Sequence, residues 1–131
     1  RGEWPDESWR GWWGPNPPYH TPVFVLTHYA RQPLEMEGGT TFYFITDGIE
    51  SALDQARAAA GERDIVIGGG AQAVQQYLRA GLVDEMEIHV SPVLMGRGER
   101  LLDNVGDALS AFESTGVSSS NTAAHFTWVR R

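Results

Sequence analysis

This chain of 131 residues has no cysteine. A disulfide framework, a thiolate nucleophile and a thiolate metal site are therefore excluded. The absence fits a reducing compartment, and the cytoplasm is the expected location. No apolar run is long enough to cross a bilayer, and no signal-peptide pattern is visible, so no membrane partner is expected. Positive charge is scarce: ten Lys and Arg stand against seventeen Asp and Glu, for a net charge of −7. That balance disfavours non-specific binding to nucleic acid, although a local pocket can still hold a phosphate. The chain has no G-x-S-x-G nucleophile elbow, no Walker lysine and no full G-x-G-x-x-G, which removes support for a nucleophilic hydrolase and for two familiar nucleotide folds. It also has no internal repeat and no low-complexity linker. One domain over residues 1–131 is expected, truncated at its N-terminal side because no clear first strand is found.

The most informative stretch present is Asp64-Ile-Val-Ile-Gly-Gly-Gly-Ala-Gln-Ala-Val-Gln-Gln-Tyr-Leu78. It reads as a buried strand at Ile65–Ile67, three glycines, and a helix from Gly70 to Ala80 closed by Gly81. Glycines let a ligand approach the backbone, and a helix N-terminus offers free N–H groups and positive potential. A nucleotide or dinucleotide ligand follows from this junction. A tight structural turn is the alternative, but three consecutive glycines exceed what a turn requires.

The remaining pattern is that of an α/β protein. Residues 1–22 hold four tryptophans and five prolines, which preclude a long helix or a central strand and predict an irregular arm. The indoles either anchor a surface loop or make a subunit contact or lid. Val23–Thr27 and Thr41–Ile45 read as strands, the first covered on both faces. Asp47 reads as an N-cap with Glu50 completing a capping box, and the helix ends at Gly61. Met86–Ser91 alternates apolar and polar residues, as a strand with one polar face does. Ala108–Ser114 and Ala124–Val129 read as a terminal antiparallel pair. Strands alternating with helices, then a strand pair, predict a mixed α/β sheet.

Other polar residues invite weaker assignments. Thr27, His28 and Arg31 follow a strand and could hold a 2′-phosphate, or be exposed loop residues. Glu87 and His89 share a strand face and could serve acid–base or metal chemistry, but His20, His28 and His125 lack metal-site spacing. A satisfied structural histidine is the simpler reading. Arg97 to Arg100 could grip an anion, and a solvated turn is preferred.

The segments Asp64-Ile-Val-Ile-Gly-Gly-Gly70, Tyr77-Leu-Arg-Ala-Gly-Leu-Val-Asp-Glu85 and His89-Val-Ser-Pro-Val-Leu-Met-Gly-Arg-Gly98 together resemble the dihydrofolate-reductase-like superfamily. The nearer branch is the reductase domain found C-terminal in the bacterial riboflavin-biosynthesis deaminase/reductase (RibD). The resemblance runs from about Pro22 onward. It implies a three-layer α/β/α dihydrofolate-reductase-like fold with a mixed, mostly parallel sheet and a C-terminal antiparallel strand pair, NADPH as cofactor, hydride transfer to a small heterocyclic or carbonyl substrate, and a homodimer. Carried over by position, Gly68, Gly69, Gly70 and Ala71 line the pyrophosphate, with Gln72 near it. Thr27 and His28 meet the adenosine 2′-phosphate, and Thr46 with Asp47 borders the adenine. Ala73 and Val74 stand where folate enzymes have a tyrosine, which argues against folate. The family's opening Ser-Leu-Asp-Gly-like strand and its following helix are not found. A dimeric nucleotide-binding module without turnover, or an inactive fragment of such a reductase, is therefore the alternative. Catalytic residues are not assigned, and no metal is expected.

Overall fold

β-Branched and aromatic residues concentrate in Pro22–Leu26 and Thr41–Ile45, and these pair as parallel neighbours in the computed structural model, which describes residues 2–131. The chain forms two compact units, Arg1–Val66 and Ile67–Arg131.

In the first unit, β1 (Gly2–Glu3) pairs in parallel with β3 (Tyr29–Ala30). Between them in sequence lies β2 (Pro22–Leu26). β4 (Leu34–Glu35) runs antiparallel to β5 (Thr41–Ile45), and β5 is central in the order β2-β5-β4. Phe42, Ile45 and Val25 are buried on this sheet. α1 (Ile49–Ala60) packs on β2 and buries Ala52. Gly61 stops the helix as expected, with φ 63° and its N–H on the Arg57 carbonyl. The start differs from expectation. Gly48, not Asp47, is the N-cap residue, and no side chain caps the helix. Gly48 takes φ 103°, open to glycine but hostile to other residues, and its carbonyl accepts the first helical bond from Ala52.

The arm is irregular, as its prolines require, and part of it belongs to the core. Trp4 packs edge-on against Phe44 at 4.9 Å, and Trp9 meets Phe42 at 5.3 Å. Trp12 and Trp13 remain 59% and 66% exposed. The arm is thus anchored by its own chain through Trp4 and Trp9, with Trp12 adding an edge contact to Phe42 at 5.7 Å.

In the second unit, α2 (Ala71–Arg79) buries Gln75, Tyr77 and Leu78. Gly81 N–H bonds to Leu78 and Leu82 N–H to Tyr77, a two-bond stop that needs the left-handed φ of 71° at Gly81. Burial pushes the Tyr77 hydroxyl pKa above the ordinary tyrosine range. β6 (Glu85–Val90), β7 (Phe112–Ser119) and β8 (Ala124–Arg130) form an antiparallel sheet in the order β6-β8-β7. The terminal antiparallel pair therefore stands, with its first strand shifted. Gly106–Ala111 is a 3-10 turn, and the strand begins at Phe112.

The α/β class is as expected. The buried strand expected at Ile65–Ile67 is not. No ladder forms there among the described residues, and Val66 is 85% exposed. Apolar side chains give a segment strand character only when a neighbouring strand takes its backbone bonds, and none does so here.

Candidate functional site

Gly68, Gly69 and Gly70 lead directly into α2 and are exposed. Gly69 needs to be glycine, because its φ is +126°. Gly68 lies outside the left-handed region, and Gly70, at φ −74° and ψ −172°, follows a cis peptide bond from Gly69. A Cβ placed on any of the three meets no atom within 4 Å. Close packing inside the chain therefore explains neither Gly68 nor Gly70.

The helix that follows presents unused donors. Gly70 is its N-cap, with no side chain bonded to the first turn. The ladder opens with Val74 N–H on the Gly70 carbonyl, so the N–H groups of Ala71, Gln72 and Ala73 precede it. Glycine surface plus outward N–H groups is a cradle suited to an anion, and the helix dipole favours negative charge there.

In the first unit, Thr27 and His28 leave β2 at its carboxyl end, and Thr46 leaves β5 at the same edge. The two strand ends are tied by Thr27 N–H on the Ile45 carbonyl at 3.1 Å. Ligands of parallel α/β sheets gather outside such carboxyl edges. Thr27 Oγ1 accepts the Tyr29 N–H at 3.1 Å, which leaves the hydroxyl proton free to donate. His28 and Thr46 are exposed.

Arg31 does not join them. Its side chain is 6% exposed and lies over Trp4, Trp9 and Phe44 at 5.4–5.9 Å. It donates to the Trp9 and Glu7 carbonyls and faces the Glu7 carboxylate at 3.7 Å. The guanidinium is committed to the arm, which sequence spacing to His28 could not show. The Arg97 to Arg100 turn is exposed, and its Arg100 carbonyl accepts from Gln75 Nε2 at 2.8 Å.

The pairing of β6 with β8 puts His125 directly opposite His89, with their Nδ1 atoms 2.7 Å apart. His125 had looked scattered in sequence, and only the strand register could have found it. A cavity of about 190 Å³ on the other face is lined by Met86, Ile88, Leu102, Leu109, Phe112 and Trp128, and none of the expected site residues lies in it. Among the described residues, no helix is long and apolar enough to cross a membrane.

Comparison with known proteins assigns the chain to a family. The chain is 34% identical over 62 residues to the uncharacterized protein YyaP of Bacillus subtilis (strain 168), covering 47% of this chain and 32% of that protein. It superposes with TM-score 0.68 on a crystal structure from Shewanella sp. PV-4, a protein provisionally named for riboflavin biosynthesis. That match has 23% identity and covers 87% of this chain and 63% of the other. The chain thus spans about a third of one relative and under two thirds of the other. The RibD C-terminal domain model matches residues 1–125. With nearly the whole sequence matched, the chain belongs to the RibD C-terminal domain family, a family of reductases with the dihydrofolate-reductase-like α/β fold.

Proposed function

We propose that this chain is the cofactor-holding domain of an NADPH-dependent reductase, with Gly68, Gly69, Gly70 and the first turn of α2 receiving the pyrophosphate. One observation carries this reading: Gly68 is a glycine that neither a left-handed backbone nor a contact at its Cβ position demands. Its missing side chain makes sense as room for a visitor lying on the backbone. The N–H groups of Ala71 and Gln72 would then donate to phosphate oxygens. Thr27 and His28 are assigned to the adenosine phosphate, where a free hydroxyl proton and an exposed imidazole can both donate. Thr46 is assigned to the adenine border. When bound, NADPH supplies the hydride for a small heterocyclic or carbonyl substrate. The chain's own residues bind and orient.

Gly68→Val is the decisive variant, because a Cβ there meets no atom within 4 Å and requires no left-handed backbone. Its denaturation midpoint should match the parent. Its NADPH affinity, read by calorimetric titration, should fall by at least about tenfold, equivalent to ~1.4 kcal/mol. Equal affinity in variant and parent would sink the assignment. A binding module without turnover is the second reading, favoured by the mainly apolar lining of the cavity in the second unit. NADPH binding without NADPH oxidation across a panel of carbonyl and heterocyclic substrates would select it.

A further inference from the structure

We infer that His89 and His125 form a binding site for a borderline divalent metal ion, zinc or copper, on the polar face of the antiparallel sheet. This inference is independent of the cofactor assignment.

The two histidines occupy directly paired positions on β6 and β8, so their side chains rise from the same face. Their Nδ1 atoms approach to 2.7 Å, with the rings edge-on at 4.9 Å between centroids. At that distance one Nδ1 carries a hydrogen and the other presents its lone pair. Two nitrogens on one zinc-sized ion stand about 2.9–3.4 Å apart, given Zn–N bonds of about 2.0–2.1 Å. The observed pair needs to open by well under about 1 Å to admit the ion in place of the shared hydrogen. His89 is 59% exposed, so small ring rotations are available without disturbing a core.

The surroundings favour a cation. Glu87, two residues before His89 on the same face, places Oε2 4.0 Å from His89 Nε2, the nitrogen remote from His125. A carboxylate there favours hydrogen on Nε2 and so leaves the Nδ1 lone pair for the metal. Metal-bound histidines commonly have such a carboxylate partner. Glu85 and Glu113 flank Val129 in the cross-strand row four pairs from the histidines, on the same face. Among the described residues, no group of three His, Cys, Asp or Glu side chains surrounds a single point. The site is therefore a two-imidazole chelate with water in its remaining positions. Imidazole pairs suit zinc and copper and are poor hosts for magnesium or calcium.

On binding, His125 changes from its Nδ1–H to its Nε2–H form, both Nδ1 atoms donate to the ion, and no electron is transferred. Zinc should titrate into the untagged chain with one equivalent bound. His89→Ala and His125→Ala should each weaken zinc binding by more than about tenfold, and Glu87→Gln by about tenfold. His20→Ala should leave it unchanged. Substoichiometric copper added to the unaltered chain should broaden amide resonances of β6 and β8 first, a readout that needs no variant. Failure to bind zinc at micromolar protein overturns the inference. So does zinc binding that survives in the double histidine variant, or copper broadening centred elsewhere.

Discussion

Arg31 shows how one side chain can change role between sequence and structure. By spacing it belongs with Thr27 and His28 as a phosphate ligand. In the fold it is a buried cation stacked against Trp4, Trp9 and Phe44 and donating to two arm carbonyls. Apart from Phe44, the controlling contacts come from arm residues more than twenty positions earlier, which no local pattern reveals. His125 escaped notice for the same reason: its partner lies 36 residues away. Arg31→Leu keeps apolar bulk but removes the charge and both kinds of contact. It should destabilise the chain by about 2–3 kcal/mol, from charged hydrogen bonds worth roughly 1.5–3 kcal/mol and cation–π contacts of roughly 0.5–2 kcal/mol, partly offset by easier burial. Urea denaturation followed by tryptophan fluorescence reports both the loss and release of the arm. An unchanged midpoint would mean that the indoles hold the arm without the arginine.

The elements that could be read from sequence are those whose signals are local. Gly61 and Gly81 stop their helices because each needs a positive φ that only glycine takes easily. The alternation in Glu85–Val90 gives one polar and one apolar face, because successive strand residues point oppositely. Ile65–Ile67 departs from its pattern because strand character belongs to a pair, and among the described residues no strand takes its backbone bonds. Asp47 misled because capping depends on a single residue of register, and Gly48 occupies the cap. The three glycines before α2 were legible as a site, but the distinction among them was not. Only the backbone angles separate Gly69, which is structurally required, from Gly68 and Gly70. The two helix stops differ in a testable way. Gly61→Ala meets open space, and Gly81→Ala meets an Arg130 guanidinium nitrogen at 3.3 Å. Each should cost about 1 kcal/mol for the left-handed backbone, with Gly81→Ala the more damaging. Chemical denaturation of the two variants side by side checks the order, and a Gly61→Ala that is worse would contradict it.

At the scale of the molecule, the exposed apolar surface argues for self-association. In the first unit Trp12 and Trp13 are more than half exposed although Trp4 and Trp9 are packed. In the second unit Val93, Leu94 and Met95 are 67%, 102% and 76% exposed, and Val117 on β7 is 70% exposed. Single exposed apolar residues are ordinary, but runs of adjacent ones mark contact surfaces. The homodimer expected from the family resemblance would cover such surface, and the arm and the late strands are the segments assigned to it. Among the described residues, Trp13 makes none of the close ring contacts that hold the other arm indoles. Trp13→Ser therefore tests the arm without unpicking the core, and Val117→Lys does the same for the late strands on an open strand position. Sedimentation velocity of the parent at micromolar concentration should give twice the mass of one chain. At least one of the two variants should shift it to a single chain while leaving its denaturation midpoint near that of the parent. A monomeric parent would show that these apolar residues remain in water, and a dimer untouched by either change would place the contact elsewhere on the surface.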